Sequence, residues 1–169
     1  PVKQSAYRRP HTTESAVLSV TNDVIRSIDE GKVVPPVLLD LSAAFDTVEH
    51  EILLEVLHNR FSVSDIPLSW FQSYLTGRTQ SISVPQGSVL GSIQFISYTE
   101  DVVDVFRSNS VLHHLFADDK QLYSATTIAD IDATRERLVR CILDVRNWCA
   151  SRRLQLNAQK TELMWFGSA

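Results

Sequence analysis

The chain has 169 residues, enough for one domain with a substantial core. Its 44% hydrophobic and 21% charged content is that of an ordinary globular protein, and no apolar run approaches the roughly 20 residues that a membrane helix needs. A net charge of −4 argues against a stand-alone nucleic-acid binder, which usually carries a basic face.

Two further bounds come from the start of the chain and its thiols. The chain opens at Pro1 with neither Met nor a charged-then-apolar leader, which reads as a fragment without a secretion signal. Cys141 and Cys149 lie eight apart on a predicted helix, hence about 12 Å apart and too far for a disulfide. Free thiols suit an intracellular compartment, nuclear or cytoplasmic.

In chain order, Ser5 to His11 is a basic, non-periodic entry that includes Arg8 and Arg9. Thr12 or Thr13 caps a helix with Glu14 in its first turn, Val17, Val20, Val24 and Ile28 on its packed face, and Gly31 as its stop. Pro35-Pro36 forces an extended entry into Val37-Leu38-Leu39-Asp40, a short apolar run that delivers a carboxylate at its end. His50 to Phe61 reads as a helix with Ile52, Leu53, Val56 and Leu57 inward. Pro67 opens a second, Leu68 to Thr76, whose Trp70, Phe71, Tyr74 and Leu75 read as core.

Arg78 to Val84 alternates like a strand, and Pro85-Gln86-Gly87-Ser88 opens a helix with Leu90, Ile93 and Ile96 or Val103 inward. Val111 to Phe116 is an apolar strand leading into Asp118-Asp119, and Gln121 to Tyr123 leads out. Asp is depleted in strands and favoured in turns, so the pair belongs at a β-hairpin tip. About Ala129 to Arg152 forms an amphipathic helix with Leu138, Ile142, Val145 and Cys149 on one face and Trp148 alongside. Leu154 and Leu156 mark a short strand, Asn157 to Lys160 a turn, and Glu162 to Phe166 a last strand.

Two like charges at one turn repel unless a cation lies between them, and a hard divalent metal suits oxygen donors. Alone, the pair reads more simply as a solvated turn. With Asp40 on a paired strand, Asp40 and Asp118 face one cavity, as two-metal phosphoryl or nucleotidyl transfer requires.

The order LLDLSAAFD, PQGSVLG, FADD followed by QLY, then LNAQKTELMWFG resembles the reverse transcriptase of non-LTR (LINE-type, jockey-like) retrotransposons, from about Ser5 to Gly167. The resemblance implies an α+β right-hand polymerase palm with partial fingers, a small antiparallel sheet packed against helices. Residues 1–36 would be a fingers remnant and 37–169 the palm, with the thumb absent. The implied activity is RNA-directed DNA synthesis on an RNA template from a DNA primer and dNTPs, without a membrane. Two Mg²⁺ ions, with Mn²⁺ as a substitute, would be held by Asp40, Asp118 and Asp119. Lys160 would protonate the pyrophosphate, Arg8 approach the triphosphate, Phe45 exclude a ribose 2′-hydroxyl, and Gln86 and Gly87 lie beside the nucleotide and template base.

Departures from that pattern bear on activity. Val84 runs straight into Pro85 where a hairpin turn and a second strand are usual, so the hairpin near 78–85 is shortened. Ser92 stands for Pro, Gln94 for an apolar residue, and Lys120 for Thr, where its cation competes with metal. The expectation is a fragment inactive or weak in catalysis. The alternatives are a decayed or domesticated relic acting as a non-catalytic protein- or RNA-binding module, and another Mg²⁺-dependent phosphotransfer enzyme.

Overall fold

The computed structural model describes residues 4–6, 12–42, 48–76 and 89–167, without the side chains of 42, 89 and 90. Helix α1 (Thr13–Asp29) begins where expected, with Thr12 and Ser15 closing a reciprocal capping box. It is followed by strand β1 (Val37–Leu39), strand β2 (Leu41–Ser42), and helices α2 (His50–Phe61) and α3 (Asp65–Leu75). Helix α4 (Val89–Thr99) and α5 (Val102–Ser108) precede the hairpin β3 (Leu112–Phe116) and β4 (Asp119–Tyr123). A 3₁₀ turn, Ile128–Asp130, leads into the long helix α6 (Ile131–Ser151), then strands β5 (Gln155–Leu156) and β6 (Glu162–Leu163).

The strands pair antiparallel in a four-stranded sheet of order β3-β4-β1-β6, and β2 pairs with β5 in a small second ladder. The chain is α+β with a small antiparallel sheet, as anticipated. Alternation along β1 buries Val37 and Leu39 against the helices and leaves Leu38 partly open on the other face. In β4 the same phase buries Lys120 and Leu122 while Gln121 faces the open side.

The main core joins Val37, Leu39, Leu115 and Leu122 of the sheet to Phe95 and Tyr98, Val102 and Phe106, and Leu138, Cys141, Val145 and Cys149 of the helices. Each such side chain contributes about 1.5–3 kcal/mol by leaving water. At the joint of α4 and α5, Asp101 accepts from Trp148 Nε1 at 3.0 Å and pairs with Arg152, tying this layer to the end of α6. A second, smaller cluster of Val24, Val34 and Tyr123 docks α1.

Several packing assignments change. In α1 the buried residues are Ala16 and Val24, and Val17 is 55% exposed, because the helix meets its neighbours along a narrow strip. In α3, Leu68, Phe71 and Tyr74 pack on the core, but Trp70 stacks on Tyr74 while half exposed. In α4 the inner residues are Phe95 and Tyr98, whereas Ile93 is turned out. Both cysteines are free and buried, and burial pushes each thiol up to about 11. Among the described residues, no helix is long and apolar enough to cross a membrane.

Candidate active site

The β3–β4 hairpin puts its carboxylates at the tip, as read from the sequence. Phe116 pairs with Asp119, leaving Ala117 and Asp118 as the two turn residues. Ala117 has φ +55°, a conformation that glycine adopts more readily, so the turn is held by the strands around it. The preceding strand is fixed at its edge by the entry segment. Ser5 N donates to Leu115 O at 3.0 Å, and Ser5 Oγ lies 2.9 Å from His114 Nε2.

Asp40 reaches this hairpin through strand register. Leu39 is the partner of Lys120, so the residue after Leu39 lies beside the residue before Lys120, which is Asp119. Over this open face lies a cavity of about 460 Å³ whose lining includes Asp40, Asp119, Lys120, Gln121, Lys160 and Glu162. Asp118 stands at the turn, outside that lining set.

The turn after β5 completes the surroundings of Asp40. Asn157 N donates to Asp40 O at 2.9 Å, and Asn157 Nδ2 donates to Asp40 Oδ2 at 3.3 Å. The Asn157 Oδ1 accepts from the Gln159 and Lys160 backbone N–H groups, an Asx-type turn that carries Lys160 back towards Asp40. Lys160 Nζ stands 3.5 Å from Asp40 Oδ2, with a side chain 70% exposed. The sequence marks this turn but assigns Asn157 no role. Its signal was an Asn directly after a strand with a Lys three residues on.

Electrostatics couple the carboxylates. Burial, then Asp118 and then Asp40, push the Asp119 carboxyl above its ordinary value, while Lys120 and Lys160 pull it down. Lys120 is 1% exposed, on the helix side of β4. Its Nζ donates to the Asp118 carbonyl at 3.2 Å and lies 5.9 Å from the centre of the Phe95 ring. Burial brings this ammonium down to about 8. The cation anticipated next to the carboxylates is therefore buried beneath the cavity that Asp40 and Asp119 line.

Among the described residues, no three His, Cys, Asp or Glu side chains converge as a ready metal cluster. The donor chemistry of Asp40, Asp118 and Asp119 nevertheless suits a hard divalent cation, and the mutual repulsion that raises Asp119 is what such a cation relieves. Arg8, Phe45, Gln86, Gly87 and the segment near 78–85 lie outside the described residues.

Against this geometry, the family model for reverse transcriptase (RNA-dependent DNA polymerase) matches residues 1–166. The chain belongs to the reverse transcriptase family. A curated relative in Drosophila melanogaster, "Probable RNA-directed DNA polymerase from transposon BS", is 26% identical over 95% of this chain. The "RNA-directed DNA polymerase from mobile element jockey" of Drosophila funebris is 26% identical over 100% of it. The chain spans 19% and 20% of the lengths of these two relatives. The jockey alignment runs over 188 positions against the 169 residues of this chain, so that relative carries additional residues inside the matched span.

Proposed function

We propose that this chain is the palm and a fingers remnant of a retrotransposon RNA-directed DNA polymerase, with weak catalysis by this piece alone. One observation carries the reading. In a chain of this family, the β1–β4 register brings Asp40 next to Asp119 on the open face of the sheet, with Lys160 at the same cavity. In this reading the open face would take the primer–template duplex, while the other face packs on the helices.

In this reading Asp40, Asp118 and Asp119 would hold two Mg²⁺ ions, with Mn²⁺ able to replace them. Bound there, the ions supply Lewis-acid activation of the primer hydroxyl and charge neutralisation of the leaving group. The primer 3′-oxygen forms a bond to the α-phosphorus of a dNTP, the bond to pyrophosphate breaks, and the hydroxyl proton leaves to solvent. Lys160, exposed and positioned by the Asn157 turn, donates a proton to the departing pyrophosphate. Arg8 would meet the triphosphate, Phe45 would screen out ribose, and Gln86 with Gly87 would flank the nucleotide and template base.

A second reading is favoured by the buried Lys120 ammonium, which offsets carboxylate charge that a metal would otherwise neutralise. It is a non-catalytic protein- or RNA-binding module that keeps the fold.

Primer extension on an RNA template with Mg²⁺ and dNTPs, beside Asp118→Asn, decides between them. The expected result is weak extension that disappears in the variant. No extension from a chain shown to be folded by circular dichroism moves the function to binding. Mn²⁺ titration should show Asp40→Asn and Asp118→Asn each weakening affinity on the order of tenfold or more. Equal affinity in all three proteins removes the metal site.

A further inference from the structure

We propose that Lys120 is a built-in counter-cation for Asp40, Asp118 and Asp119, and that its fixed charge sets how tightly these carboxylates take up a divalent cation. The metal part of this inference rests on the reading above; the counter-cation part stands without it.

Lys120 is 1% exposed, one of the largest side chains that the protein buries completely. A buried ammonium normally has a carboxylate partner, because losing hydration is costly. Among the described residues Lys120 has none within ion-pair distance; its partners are the Asp118 carbonyl and the Phe95 ring face. Strand pairing with Leu39 and Leu115 fixes its backbone from both sides. The side chain that leaves this fixed backbone is buried, which keeps the charge out of solvent.

Its position relative to the acids follows from the pleat. Asp119 is exposed at the cavity while the Lys120 side chain is buried against Phe95, and both residues contribute to the cavity lining, so the cation lies beneath the surface that the carboxylates share. The ammonium is buried, and bulk salt screens such a charge poorly. Lys160 differs, being 70% exposed and free to rotate away. In the metal-free chain Lys120 offsets the repulsion that Asp118 and Asp40 exert on Asp119. A divalent cation entering the cavity meets the same charge as repulsion.

A plainer role must be separated from this one, since Lys120 also ties down the turn through its bond to the Asp118 carbonyl. Lys120→Gln keeps a neutral donor, and Lys120→Met keeps the length and removes both donor and charge. Mn²⁺ affinity, followed by the loss of the free-ion electron paramagnetic resonance signal, should tighten on the order of tenfold in both variants. Asp118→Asn added to either should reverse the gain. Tightening in neither variant, with Asp118-dependent binding in the wild type, overturns the effect on metal affinity and leaves the metal site standing. A change in Lys120→Met alone reduces Lys120 to an anchor and overturns the inference.

The metal-free arm is a thermal-stability cycle of Lys120→Gln and Asp118→Asn in chelator. The expected coupling is favourable, with Lys120→Gln more beneficial, or less harmful, in the Asp118→Asn background than in the wild type. If no protein binds Mn²⁺, the metal reading fails and this cycle alone judges the counter-cation. Zero coupling overturns it.

Discussion

At the scale of residues, the buried ammonium makes stability depend on pH. Lys120 falls from its ordinary 10.5 to about 8 in the folded chain because burial penalises its charge. Between those values the unfolded chain binds the extra proton, so stability rises with pH, by about 1 kcal/mol per unit well inside the window. Below about pH 8 both states carry the charge, and its burial cost is constant. The Cys141 and Cys149 thiols act in the opposite sense above their ordinary value of 9.0, because burial raises both to about 11. The rise is therefore read between roughly pH 7.5 and 9 by urea unfolding. Lys120→Met should abolish it and be more stable than the wild type at pH 7. An unchanged slope in that variant would assign the titration elsewhere. The Asp-Asp turn was legible because turn chemistry is local. Lys120 was legible in principle, since it shares the phase of Leu122, but a charged side chain is not expected in a core.

Elements were readable to the extent that their faces are one-sided. The α6 face of Leu138, Val145 and Cys149 is buried as its spacing indicated, because one side of that helix meets the core and the other meets water. Helix α4 is enclosed more fully, so its period carries little information and the inward residue is Phe95, not Ile93. Helix α1 has caps that local sequence specifies, but its docking depends on a distant strand. The Tyr123 hydroxyl donates to Asp23 Oδ2 at 2.5 Å, joining β4 to α1. Burial, then this bond, push the phenol up. Tyr123→Phe keeps the ring in the small cluster and removes the bond, for a cost of about 1–2 kcal/mol. Amide hydrogen exchange should then show α1 opening more readily while α6 keeps its protection. Equal loss of protection in both helices would show that α1 is not a separate unit.

For the whole molecule, strand existence could be read from the sequence but strand order could not. Nothing local says that β1 inserts between β4 and β6; that order comes from contacts more than 80 residues apart along the chain for β1–β4. The same order sets the division of the core, because β4 contributes Leu122 to the large cluster and Tyr123 to the small one. Neighbours in sequence thus serve different units. Leu122 is completely buried among helices and strands that span most of the fold, and Leu122→Ala removes both its transfer free energy and its packing, about 2–5 kcal/mol. Its thermal transition should stay single and move down as a whole. Among the described residues Val24 belongs to the α1 cluster, so Val24→Ala should lower α1 protection with a smaller shift of the main transition. If both variants lower the main transition equally, the two clusters unfold as one. The open face carrying Asp40 and Asp119 would then lose its support whenever α1 detaches, whereas separate units would leave that face intact.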